Sequence, residues 1–101
     1  VFHCRDAGDG FYTWDSTAAD MFKRTMKGHA LTGPVLVRGA KPGDVLRIEI
    51  LDLVPGEMGY TSFREDRGLI PEDFPDPYLH IWDLRNGEHG ELKPGVRVPA
   101  L

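Results

Sequence analysis

Glycine and proline cut this chain into short apolar segments, and that spacing constrains the fold more than any other feature. There are 12 Gly and 8 Pro in 101 residues. Long helices do not survive such interruption, whereas short strands joined by tight turns require it. The expected class is therefore mostly β, about six short strands buried as a β-sandwich, jelly-roll-like, with one short helix or helical loop.

The helical segment is placed at residues 15–28. Thr17 and Asp20 have capping-box spacing, Ala18, Met21, Phe22 and Met26 share a face, and Gly28 stands where a terminating glycine would. A long ordered loop with one helical turn fits the same residues, because Thr25 and the flanking glycines oppose extension.

Strands are read at Val1–Asp6, closed by the turn-forming Ala7-Gly8-Asp9-Gly10, and again at Phe11–Trp14. Residues 33–54 read as two strands about the Pro42-Gly43 turn. Pro42 presets φ at the first central position and Gly43 supplies a positive φ at the second. Leu46, Ile48 and Ile50 then alternate with Arg47 and Glu49. Further strands are expected at Tyr60–Arg64, at Tyr78–Arg85 running into the hairpin pair Asn86-Gly87, and at Val96–Val98, where Pro99 ends a ladder or marks an edge.

The size, 11.3 kDa, corresponds to one domain over residues 1–101. A chain opening on Val1 within a strand and closing on Val98-Pro99-Ala100-Leu101 reads as an incomplete part of a larger protein. Twelve basic and 16 acidic residues give a net charge of −4 with no basic stripe, so nucleic acid is not an expected partner. No apolar run approaches the ~20 residues that cross a bilayer, so no membrane partner is expected. The single cysteine, Cys4, excludes an internal disulfide and a cysteine-rich zinc knuckle. It fits a reducing compartment, and the expected location is cytoplasmic.

Thr32-Gly33-Pro34-Val35, then Val37-Arg38-Gly39-Ala40-Lys41-Pro42-Gly43-Asp44-Val45-Leu46 and Ile48-Glu49-Ile50-Leu51-Asp52, resembles the Thr/Ser-Gly-Pro … Gly-Ala-x-Pro-Gly-Asp segment of the acetamidase/formamidase family. Phe2-His3-Cys4-Arg5-Asp6-Ala7 resembles the strand that precedes it there. The resemblance implies an oligomeric, β-rich amidase that hydrolyses short carboxamides to ammonia and carboxylate. In some relatives it also implies a divalent metal such as zinc. The family's later His-Gly-Gly-Asn-Met-Asp and Gly-Asp-x-His … Gly-Asp-Gly-Glu segments do not occur in these residues. By this resemblance the chain is the amino-terminal part of such an enzyme, inactive alone. Its expected partners are the rest of the same enzyme chain, a small amide substrate and further copies in a homo-oligomer, with any metal site completed by residues outside these 101.

Amide hydrolysis needs a nucleophile, a base and donors to the oxyanion. Two residues are candidates for catalysis. Asp6 closes the first strand beside a glycine-rich turn and serves either as a base, ligand or orienter, or simply as an acceptor for the turn's N–H groups. His29 precedes Thr32-Gly33-Pro34 in a loop, as an acid/base or ligand, or as an ordinary surface histidine. Cys4, placed in an apolar strand, reads as a buried inert thiol. His80 reads as half-buried beside Tyr78 and Trp82. No His-x-His or His-x-x-x-His pair and no Gly-x-Ser-x-Gly elbow occurs. The alternative is a free-standing β-sandwich ligand-binding module, with Tyr12, Trp14, Tyr60, Tyr78 and Trp82 as a stacking face. Exposed coplanar rings would favour it; buried rings beside a bare apolar patch would favour the enzyme part.

Overall fold

The computed structural model describes residues 1–25, 28–65 and 67–100. It is mostly β, built from antiparallel strand pairs and short 3-10 turns at Ala18–Lys23 and Pro71–Asp73. Strand β1 (Met58–Phe63) pairs with β2 (Tyr78–Asp83), Met58 opposite Asp83 and Phe63 opposite Tyr78. Aromatic and β-branched residues hold this ribbon together. Phe63 stacks on Tyr78 at 5.6 Å between ring centroids, and the Trp82 indole N–H donates to Thr61 Oγ1 at 2.9 Å.

Strand β3 (His89–Lys93) pairs with β4 (Val96–Pro99), with an irregularity between Glu91 and Lys93. Pro94-Gly95 closes this hairpin, Gly95 taking φ 82° and its N–H donating to Glu91 Oε1 at 2.9 Å. Asn86-Gly87 also turns the chain, with Asn86 Oδ1 accepting the N–H groups of Glu88 and His89. It does not pair the strands that flank it: β2 pairs with β1, and β3 with β4. The two ribbons meet where Gly90 lies against the Trp82 ring and His80 Nε2 lies 3.0 Å from the Glu91 carbonyl oxygen.

The helical turn is shorter than the expected 15–28, ending at Lys23 with Arg24 in extended backbone. The Thr17–Asp20 relationship holds, since Asp20 Oδ2 accepts the Thr17 N–H at 2.8 Å. Met26 lies outside the described residues. Two other expectations are corrected. Val1–Asp6 and Phe11–Trp14 form no strand, and neither do the stretches on either side of Pro42-Gly43, although the turn itself forms with Asp44 N–H donating to Lys41 O at 3.0 Å. The physical reason is the same in both cases. A strand needs a ladder partner for its backbone groups, and among the described residues none pairs with these stretches. Cys4 is consequently exposed rather than buried.

Among the described residues the buried apolar side chains are Tyr12 and Met21, around which Tyr60 and the first 3-10 turn gather. Among the described residues no helix is long and apolar enough to cross a membrane.

Candidate functional site

The Asp6 turn is organised by its own carboxylate. Oδ1 accepts the Gly8 N–H at 2.6 Å and Oδ2 accepts the Gly10 N–H at 2.8 Å. Asp9 then adopts φ 57° and its carboxylate receives the Arg5 guanidinium, at 2.6 Å from Nε. Both Asp6 oxygens are thus engaged with backbone donors, so the carboxylate shapes the loop more than it offers a free base.

Gly8 sits at the centre of this corner. A Cβ there would stand 2.9 Å from Asp6 Oδ1, 3.0 Å from Tyr60 Oη and 3.3 Å from Tyr12 Cδ2. Only glycine lets the loop approach the two phenols so closely. Burial pushes the Tyr60 phenol above its ordinary 10.0; the Arg24 guanidinium opposes this and the Asp6 carboxylate adds to it.

Arg24 connects the two sequence candidates. Its Nη2 donates to the carbonyl of Ala7 at 2.8 Å and to that of Gly28 at 2.9 Å. Ala7 follows Asp6 and Gly28 precedes His29. A second link runs parallel, the Arg5 N–H donating to Thr32 Oγ1 at 2.8 Å. The Asp6 and His29 loops therefore share one corner. His29 itself is exposed there. Arg24 Nε is buried with no hydrogen-bond partner among the described residues. Arg24 was not legible as a site residue, and Tyr60 was named only as a ring of the alternative stacking face, not as a neighbour of the Asp6 loop. An arginine after a short apolar turn and a tyrosine in a strand carry no motif, and only the chain's path shows that they meet the Asp6 loop.

Elsewhere, Ile81, Asp83, Asn86, His89, Glu91 and Arg97 line an open hollow of about 370 Å³ between the ribbons. Its acids are already engaged, Asp83 with Arg85 and Glu91 with the Gly95 N–H. Among the described residues no three His, Cys, Asp or Glu side chains gather as a metal-ligand set. These residues alone do not fit a closed site for a divalent ion.

The Acetamidase/Formamidase family profile matches residues 1–101, and the chain belongs to that family. It is 33% identical over 86 residues to an acetamidase of Mycolicibacterium smegmatis, covering 72% of this chain and 20% of that protein. It is 32% identical over 79 residues to a formamidase of Methylophilus methylotrophus, covering 72% of this chain and 18% of the relative. The chain thus spans about a fifth of the length of these relatives. No solved structure matches it.

Proposed function

We propose that this chain is one part of an amidase that hydrolyses short carboxamides such as formamide or acetamide to ammonia and the carboxylate, and that it is inactive without the remainder of the polypeptide. The observation that carries this reading is the family match along all 101 residues. Water adds to the amide carbonyl, its proton passes to a base, the C–N bond breaks, and the departing nitrogen takes up a proton. His29, exposed at the corner that Arg24 holds, is the group proposed to carry that proton. Asp6 is proposed as a positioning residue that keeps the turn, Ala7 and hence Arg24 in place. The oxyanion donors, the homo-oligomeric assembly and any divalent metal belong to the rest of this proposal, and residues outside these 101 would have to complete them.

The aromatic side chains support the enzyme-part reading over a stacking module. Tyr12 is 5% exposed, its ring 4.4 Å from that of Tyr60, and Trp82 donates its N–H within the ribbon; Trp14 and Tyr78 are 47% and 40% exposed, but the Arg85 guanidinium lies 5.0 Å from the Trp14 ring and Tyr78 stacks on Phe63.

The test is ammonia release from formamide and acetamide. It compares the 101-residue chain alone with a chimera in which this chain replaces the matched region of the M. smegmatis acetamidase. Turnover by the chimera and none by the chain alone is the expected result. In the chimera, His29→Ala abolishes turnover while Asp6→Asn lowers stability and kcat together. A folded chimera without turnover would sink the proposal.

A further inference from the structure

Residues 45–54 hold the densest exposed apolar surface of the chain. Val45 is 95% exposed, Ile48 82%, Leu51 87% and Val54 86%. Among the described residues no backbone hydrogen bond involves any residue from 45 to 56. A β-prone segment with both its side chains and its ladder groups unpaired is a strand without its sheet.

The exposed area says how much is missing. The chain exposes 9015 Å², whereas a compact monomer of this mass exposes about 5,700 Å². The radius of gyration is 17.5 Å, against ~13 Å for a compact chain of this length. The excess, roughly 3,300 Å² on this one chain, is larger than one partner contributes even to a large obligate dimer. The pattern agrees. Leu46, Ile48 and Ile50 lie on one face, but Leu51 and Leu53 lie on the other, so the end of the segment is apolar on both sides. A symmetric second copy would cover one edge of such a strand and leave its other edge and a face in water.

We infer that residues 45–54 are an interior strand of a larger sheet, flanked and covered by segments from the four fifths of an acetamidase/formamidase-length polypeptide that lie outside the matched region. The inference rests on the proposed enzyme-part reading and names the segment through which that part docks. The occupant is β-structured and apolar, because it must supply ladder partners on both edges and cover both faces.

Hydrogen exchange tests this on the isolated chain and on the acetamidase chimera. In the isolated chain, amides 45–54 exchange near the free-peptide rate and the sedimenting mass is 11.3 kDa. In the chimera they slow by on the order of a hundredfold or more. Ile48→Lys and Leu51→Lys, on opposite faces, each restore fast exchange across the segment. If the chimera fails to fold, the remaining acetamidase region is added in trans to this chain and the same amides are followed.

Free exchange of 45–54 in both formats overturns the inference. Protection in the isolated chain at twice the monomer mass also overturns it, and assigns the strand to a second copy. Protection without ammonia release keeps the docking strand and overturns the amidase reading; ammonia release without protection does the reverse.

Discussion

The guanidinium of Arg64 donates a hydrogen bond to the backbone carbonyl of Met21 at 2.6 Å. The bond spans 43 positions and fastens the first 3-10 turn to the end of β1, with the same guanidinium 5.9 Å from the centre of the Phe22 ring. Arg64→Ala is expected to cost about 1.5–3 kcal/mol, the range for a hydrogen bond with one charged partner. Arg64→Lys should recover less than half of it, because an ammonium lacks the planar fork. Urea unfolding followed by tryptophan fluorescence gives both values, and equal stability of Arg64→Ala and the parent would show that the turn is held by other contacts.

Gly90 is the tightest point between the ribbons. A Cβ there would fall 2.5 Å from Trp82 Cε3 and 3.2 Å from Leu84 Cδ2, and the indole cannot swing away without losing Thr61. Gly90→Ala should destabilise by about 1–3 kcal/mol, the cost of overpacking. Combining it with Trp82→Phe should cost less than the sum of the two single changes, because the clash is shared.

Acid should loosen the first turn in a defined window. The Lys23 ammonium, then the Thr17 N–H and hydroxyl, hold the Asp20 carboxyl at about 2 instead of 3.8. A carboxylate depressed on folding contributes stability that is fully present above 3.8 and is lost as the pH falls from there through about 2. Asp83, held at about 2 by Arg85, adds a loss in the same window. Urea midpoints measured across this range should fall with pH, and should fall less steeply in Asp20→Asn and Asp83→Asn. Both groups are exposed, so added salt should also flatten the dependence.

The alkaline limb belongs to Tyr60. Burial raises its phenol above 10.0, so the stability it contributes is present below 10.0 and is lost as the pH climbs through the raised value. Phenolate absorbance should show an ionisation above 10.0, and Tyr60→Phe should remove it.

Asp44 closes the Pro42-Gly43 turn from both directions, its Oδ2 accepting the Lys41 N–H at 2.8 Å and its own N–H donating to Lys41 O at 3.0 Å. Asp44→Ala should cost about 1 kcal/mol while leaving turnover of the acetamidase chimera within a factor of about two. Lost turnover at an unchanged melting temperature would place Asp44 in the chemistry instead.

Local signals carried most of what the sequence made visible. Strands at Tyr60–Arg64 and Tyr78–Arg85 were legible within a few residues of β1 and β2, and so were the Thr17–Asp20 relationship and the Pro42-Gly43-Asp44 turn. Pairing was not, because it depends on which strand is near and not on propensity. Asn86-Gly87 promised a hairpin, yet β2 pairs back to β1 and Pro94-Gly95 makes the local hairpin instead. Alternation at 46–50 suggested a strand, but among the described residues it finds no ladder partner and forms none. At the candidate corner, Asp6 and His29 were named from loop context, while Arg24, which ties their loops together, has no sequence signature.

Met21 is the fully buried side chain of this small core, at 1% exposure. Its sulfur gives the interior a chemical label. Peroxide oxidises a thioether only where it reaches it, so sulfoxide should accumulate at Met21 no faster than the core opens to solvent. Half-buried Met58 on β1 supplies a faster comparison in the same sample. Once formed, the sulfoxide is too polar to return to its place against its neighbours. Each opening that oxidant catches is then irreversible, and oxidation by itself ratchets the chain toward its unfolded state.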